Sequence, residues 1–403
     1  MNILLADLHK YVGYSGGIEN VLVQFASAMH ERGHAVTAVF ADEKDGQPFF
    51  PMPAGVKIYN LYRVSGMKAM RPGAVQKILR EIVRPFSRAA ARERNYRMLA
   101  QAAPAMEEIL TREKPDVIVS FREPTGRLLL DGIKTEIPVI SMLHNDPDEI
   151  FAGAPEKEKR ALLKSAFIQV LLPSFVEKAK KYLPYDRFAA IPNAVRAPEI
   201  FADPGEARRI HTISCVGRLT GRTKRQHLLA EAFALIAGDF PDWQVELWGA
   251  VYDKPYVASL KSKIKKAGLE DRIRICGTTK NMNAVWEKTD IFAFPSHHEG
   301  FPLALTEAMS CGIPAVGYAS CPAVNELISD GKTGILCDDG AEALAEALRR
   351  LMEDSELRRQ CGMAARMAME AYRPDVVWDQ WETLMEKAAA EKSKIEMGYR
   401  AGD

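Results

Sequence analysis

The segment SHHEGFPLALTEAMSCG, Ser296 to Gly312, sets two carboxylates, Glu299 and Glu307, eight residues apart with only neutral side chains between them. His297 and His298 stand just ahead. Four chemistries fit such a stretch: an acid/base pair, a metal site, a pair of hydroxyl acceptors, or an ordinary helix start carrying acids. A carboxylate accepts through two oxygens and so matches a vicinal diol. A retaining glycosidase pair needs its carboxyls about 5–5.5 Å apart. The metal reading is the weakest, because neighbours on an extended loop point apart and no H-E-x-x-H occurs. No metal is expected.

Cations supply the second clue. In VGRLTGRTKRQHLL, Arg218 follows an apolar run and Lys224 comes six residues later, near a helix start. Two cations at the carboxyl end of a strand can neutralise a diphosphate, although a solvated surface pair is the plain alternative. A glycine turn, GYSGGIEN, places Gly13, Gly16 and Gly17 before a helix. It lacks the G-x-G-x-x-G spacing and the acid that would hold an NAD ribose, so a dehydrogenase is disfavoured. A bare helix N-terminus still suits a phosphate, and a mere tight turn is the competing reading. DGKTG near Lys332 is no P-loop, since Glu326 stands where that motif needs its first glycine.

These fragments converge on one ligand class. The amides from Phe301 to Ala304, at the helix start that Pro302 would open as its first residue, make an anion site. A diphosphate there would repel both carboxylates, which must then accept from neutral hydroxyls on either side of it. One diol would be a ribose and the other a sugar, which describes a nucleotide-diphospho-sugar.

The elements that must position these residues are legible as strand-like runs alternating with helical periods. The runs are NILLAD, AVTAVF, DVIVSF, PVISML and FIQVLLP in the first half, then TISCVG, QVELWG, RIRICG, IFAFPS and PAVGYA. Between the first two, IENVLVQFASAMHERG carries apolar residues at Val21, Phe25, Ala28 and Met29 and closes at Gly33. The pattern predicts an α/β protein of two doubly wound parallel-sheet domains, with ligands at the carboxyl ends of the strands in a cleft between them. PNAVRAPEIFADPGEARR, rich in Pro, Gly and charge, reads as the linker.

Bulk properties agree. A chain of 403 residues favours two domains, and 47% hydrophobic with 27% charged residues is a globular composition. A formal charge of +1 argues against nucleic acid as a partner. The six cysteines form no C-x-x-C and match no zinc spacing, which points to a reduced, cytoplasmic protein. MNILLADLH lacks the basic region of a signal peptide, and no apolar run reaches the ~18 residues that span a bilayer.

EGFPLALTEAMSCGIPAVGY resembles the E-x7-E region of glycosyltransferase family 4, retaining enzymes of the two-domain GT-B fold with Rossmann-like halves. SGGIENVL, VGRL with its later lysine, PNAV and CPAVNELISDGKTGIL match further elements in order from Ser15 to Leu336. PNAV stands where the family usually has P-N-G-V. The resemblance implies an acceptor-binding domain over 1–195, with helices from about 376 to 403 crossing back to it. It implies a donor-binding domain over 196–375. It puts the Gly17 amide near the donor phosphate, gives Arg218 and Lys224 the diphosphate and leaving group, Glu299 the donor-sugar hydroxyls and Glu307 the ribose. The amides of Phe301 and Leu303, beside Pro302, would line the sugar-phosphate pocket. His144, in ISMLHNDPD, matches a histidine that many members place after a first-domain strand. The implied donor is a UDP-sugar, with no cofactor and no metal. The reaction is transfer to a hydroxyl with retention, the departing diphosphate oxygen helping to deprotonate the acceptor. An epimerase or a non-catalytic nucleotide-sugar binder of the same fold are the rivals.

The acceptor has its own signal. Arg63 to Arg97 holds ten Lys or Arg against Glu81 and Glu93, a local charge of +8. Lys77, Arg80, Arg84, Arg88 and Arg92 recur every three or four residues beside apolar companions. A solvated helix face is one reading. A basic amphipathic stripe that meets anionic lipid is the other. The second reading expects a lipid-linked or glycan acceptor in envelope polysaccharide or glycolipid assembly, with the protein peripheral at the inner face of the cytoplasmic membrane.

Overall fold

The computed structural model describes residues 1–13, 16–44, 46–64, 87–196 and 198–400, the last ten by backbone alone. The chain divides into two compact units: Met1–Asn193 with Val377–Asp403, and Ala194–Val376.

The first unit is built on seven strands: β1 Asn2–Asp7, β2 Ala35–Phe40, β3 Lys57–Asn60, β4 Val117–Ser120, β5 Val139–Leu143, β6 Phe167–Val170 and β7 Phe188–Ala190. They lie in the order β3-β2-β1-β4-β5-β6-β7 and all pair in parallel. Ile3 pairs with Val36 on one side and Val117 on the other. Strands covered on both faces read as unbroken apolar runs, which is why five of the six β1 residues are buried. The helix Gly17–Glu31 lays Val21, Phe25, Ala28 and Met29 on this unit's core. Gly33, at φ +85°, ends it in a conformation that favours glycine.

The helix Pro374–Arg400 packs on the same unit, with Trp378 and Trp381 edge-on to Phe25 at 5.3 and 4.8 Å. Arg32 donates to Asp379 at 2.7 Å and also reaches Glu382.

The second unit holds β8 His211–Val216, β9 Trp243–Trp248, β10 Ile273–Gly277, β11 Ile291–Phe294, β12 Ala315–Tyr318 and β13 Gly334–Cys337. Their order is β10-β9-β8-β11-β12-β13, again parallel throughout. Both sheets are therefore doubly wound, as the alternating pattern predicts. In each, the strand order reverses beside one strand, at β1/β4 and at β8/β11. Loops leaving such a switch point diverge and leave a crevice for ligand.

All ten strand-like runs of the sequence form strands. The three that it does not announce, β3, β7 and β13, each lie at a sheet edge. An edge strand can be short and half-exposed, so it needs no apolar run.

The division between the two units falls inside the stretch expected to be a linker, and part of that stretch is anchored on the second unit. Ala202 donates its amide to the Cys311 carbonyl at 2.8 Å, and the buried Arg358 donates Nε to the Pro204 carbonyl at 2.8 Å. Irregular backbone can be held this way where its polar groups find partners.

Candidate active site

In the second unit the site grows from the exits of β8, β9 and β11. Gly249 sits at φ +145°, and a Cβ there would run into the Gly217 carbonyl. Glycine therefore lets the exits of β8 and β9 meet backbone to backbone, with the Gly217 amide donating to the Trp248 carbonyl at 2.9 Å. Arg218 leaves this junction with its guanidinium 5.2 Å from the ring of exposed Tyr252, a cation–π contact. Lys224 returns alongside Gly217, where an added Cβ would lie 3.3 Å from the lysine chain. Its ammonium stands 4.6 Å from the Phe294 ring and 2.5 Å from Glu299 Oε1. The His297 amide donates to the Thr223 carbonyl at 2.9 Å and ties the two loops together.

Beyond Glu299 the chain enters the helix Leu303–Ser310. Pro302 occupies the capping position, one residue ahead of where the sequence predicts it, with φ −76° and ψ 92°. No side chain caps this helix, and only from Leu305 onward do its amides turn to the Pro302 carbonyl, which leaves those of Leu303 and Ala304 to an anion. Phe301 is buried and tilted against Tyr372 at 5.4 Å. Leu303 opens the helix and Glu307 lies in its second turn. Burial pushes the Glu307 carboxyl up to about 7, opposed by the Arg196 charge. The unit thus brings Lys224 and Glu299 into contact, and sets Phe301, Pro302, Leu303 and Glu307 on the continuation of the same loop.

The two histidines depart from expectation. The rings of His297 and His298 do not point apart but lie 4.1 Å centroid to centroid, at 57°. The bends around them curl the loop more tightly than an extended strand. Among the described residues no three His, Cys, Asp or Glu side chains gather as a metal would require.

In the first unit the corresponding loops leave β1, β4 and β5. Gly16 precedes the helix Gly17–Glu31 in extended conformation, and no side chain caps it. A Cβ on Gly16 would strike the Glu19 carboxylate, whereas one on Gly17 would meet nothing within 4 Å. Gly17 therefore has room for a side chain that Gly16 lacks. Arg122, just past β4, donates to Asp7 at 2.6 Å and to Glu19 at 2.9 Å. His144 follows β5 and stacks on Phe121 at 5.5 Å. Burial and the nearby Arg122 charge press its pKa down to about 3, so the ring is neutral at ordinary pH. Its Nε2 is buried with no hydrogen-bond partner among the described residues. A neutral imidazole offers one donor and one acceptor, enough to hold a hydroxyl.

Of the basic stripe, Lys77, Arg80 and Arg84 lie outside the described residues. Arg88 opens the helix Arg88–Leu99 and is exposed. Arg92 is only half-exposed and is tied inward: it donates to the Ile150 carbonyl at 2.7 Å and pairs with buried Glu158. The helix period put it on the stripe, but a buried acid from elsewhere in the chain claims it.

Sequence reasoning missed Arg122 and Arg225. Arg122 follows a buried strand directly, the same signal that singled out Arg218. Arg225, beside Lys224, reads as one more surface charge, and nothing in its neighbours marks it.

Two family models match the chain: Glycosyltransferase Family 4 over residues 15–197, and Glycosyl transferases group 1 over residues 197–368. An exopolysaccharide phosphotransferase of Streptomyces coelicolor is 28% identical over 383 residues, which is 92% of this chain and 39% of that protein. The chain therefore spans less than two thirds of that relative. An uncharacterized glycosyltransferase of Haemophilus influenzae is 24% identical over 93% of this chain and 97% of its own length. Among solved structures, Anabaena HepE in complex with UDP and glucose superposes with a TM-score of 0.70 at 18% identity, over 96% of this chain and 100% of that one.

Proposed function

The chain belongs to the GT-B glycosyltransferases of family 4 and group 1, and we propose that it moves a glycosyl group from a nucleotide-diphospho-sugar to a hydroxyl. The observation that carries this reading is the contact of Lys224 with Glu299 on the loop that runs into an uncapped helix start. A glycosidase pair would leave Arg218 and Lys224 without a role. A diphosphate gives both a partner, and Lys224 still has two donors beyond the one that Glu299 takes. Glu299 then accepts from donor-sugar hydroxyls and Glu307 from the ribose. UDP is the proposed nucleotide, and HepE, the solved structure described above, holds UDP with glucose.

Retention follows from a front-face course. The leaving diphosphate oxygen takes the acceptor proton while Arg218, Lys224 and the Leu303 helix start stabilise the charge it gains, the kind of stabilisation that is usually the largest catalytic term. Diphosphate charge met by side chains and amides needs no metal. In the first unit, His144, neutral and with a free ring nitrogen, is proposed to hold the acceptor hydroxyl.

The proposed acceptor is a lipid-linked or other glycan in envelope polysaccharide or glycolipid synthesis, met at an anionic membrane face through the basic stretch around Lys77, Arg80, Arg84 and Arg88. Among the described residues no helix is long and apolar enough to cross a membrane. Replacing Arg80, Arg84 and Arg88 by Ser should cut binding to anionic vesicles at low salt while sparing nucleotide binding. Unchanged vesicle binding would return the stretch to a solvated surface.

The central test is incubation with a panel of labelled nucleotide sugars, following nucleotide release and the anomeric configuration of the product by NMR, with and without EDTA. Transfer with retention in EDTA supports the reading. An isomerised nucleotide sugar with no transfer would mark an epimerase, and binding without turnover a sensor or carrier.

A further inference from the structure

Arg225, at the start of the helix Gln226–Ile236, joins the ends of β11, β12 and β13, and no motif accounts for it. We propose that it is a positioning residue for the donor site: its guanidinium sets the spacing between the loop carrying Lys224 and the loop carrying Glu299. The proposal deepens the donor-site reading above and rests on it.

Its backbone stands at φ +49° and ψ 38°, a left-handed conformation that a side chain with a Cβ adopts at a cost. Such outliers persist where surrounding contacts hold them, and they cluster at functional sites. Here the contacts are specific. Nε donates to the Pro295 carbonyl at 3.1 Å and Nη2 to the Ser296 carbonyl at 3.3 Å. Nη1 donates to Asp339 Oδ1 at 2.8 Å, and the guanidinium lies 4.9 Å from the Tyr318 ring. Asp339 is itself held by the Ser320 hydroxyl at 3.1 Å.

The left-handed turn has a geometric consequence. In a strand, adjacent side chains point to opposite faces. Lys224 and Arg225 instead both address the exit of β11, the first at Phe294 and Glu299, the second at Pro295 and Ser296. Pro295 and Ser296 lie four and three residues before Glu299. Arg225 thus grips the backbone of the loop whose carboxylate Lys224 must meet. A planar fork with donors in three directions can do this, whereas a lysine, a point charge on a flexible stem, cannot.

The test uses R225G, R225K and D339N in the full chain. Glycine accepts positive φ freely, so R225G removes the grip without straining the turn. We expect its kcat for nucleotide release to fall tenfold or more while Tm moves by only a few degrees. Its crystal structure should show Lys224 and Glu299 more than 4 Å apart. R225K should recover less than half of the loss, and D339N, which cuts one anchor only, should lose a few-fold in kcat. Wild-type kcat in R225G, full recovery by R225K, or an unchanged Lys224–Glu299 contact in R225G would each overturn the proposal. If R225G does not fold, D339N decides it: wild-type kcat there counts against the grip. A wild-type protein that releases no nucleotide from any nucleotide sugar overturns the donor-site reading instead, and the separation in R225G still tests the spacing.

Discussion

Lys224 and Glu299, 75 residues apart in the chain, meet at 2.5 Å on side chains that are only 19% and 12% exposed. Such a pair is partly desolvated, so each charge depends on the other more than a surface pair does. The contact also means that the cation proposed for the diphosphate and the carboxylate proposed for the sugar are placed by one geometry.

Lys224→Ala should therefore lower turnover more than nucleotide binding, because leaving-group charge grows toward the transition state. Arg218→Ala should act in the same direction. In a double-mutant cycle on stability, Lys224→Ala and Glu299→Ala should couple by about 0.5–3 kcal/mol. Additive effects, or a loss confined to KM, would contradict the assignment.

Glu307 yields a pH prediction. Its carboxyl, raised to about 7 by burial, is protonated in the folded protein over a range where an unfolded glutamate is ionised. Its contribution to stability is full below about 4.5 and is lost as pH rises to about 7. The ionised form is the better acceptor for ribose hydroxyls, so nucleotide affinity should rise about tenfold between pH 6 and pH 8. Calorimetry on Glu307→Gln should show that rise abolished. A slope that survives in the variant would place the titrating group elsewhere.

His144 should stay neutral across the working range of pH. Its pKa, pressed down to about 3 by burial and Arg122, makes it a hydrogen-bonding group rather than a proton carrier. The sign for stability is opposite to that of Glu307: the contribution is complete above about 6.5 and fades as pH falls toward 3. Ring resonances followed by NMR should show no protonation of His144 above pH 5. A titration near 6.5 would disprove the buried, neutral ring.

Arg92→Ala tests the inward-turned member of the basic stretch. Glu158 is fully buried, and burial pushes its carboxyl up to about 7 even with Arg92 beside it. Removing the arginine should cost about 3–5 kcal/mol at pH 8, and less at pH 5, where the acid is neutral. Denaturant melts at the two pH values measure this. An equal loss at both would mean that Arg92 acts by packing alone.

Much of this was open to reading along the chain. Both sheets announce themselves because parallel strands are covered on two faces and carry unbroken apolar runs, as ILLA of NILLAD and IFAF of IFAFPS do. Arg218 and Glu299 stand out because charged residues soon after such runs fall where doubly wound sheets hold ligands, and Lys224 and Glu307 stand out by their spacing from them. These signals are local: periodicity marks the strands, and position and spacing along the chain mark the charged residues.

What the tertiary structure decided is every relation that depends on which distant groups come to share a space. The sequence put Arg92 on a basic amphipathic stripe, yet buried Glu158, 66 residues away, pairs with it. It set His297 and His298 apart, and the curl of the loop brings their rings to 4.1 Å, tilted against each other. It gave no sign of Arg122 joining Asp7 to Glu19, nor of Arg225 gripping Pro295 and Ser296. Hydrophobic pattern is fixed by the pitch of a helix or strand and so can be read in one dimension. The partner of a charge is fixed by burial and direction in three.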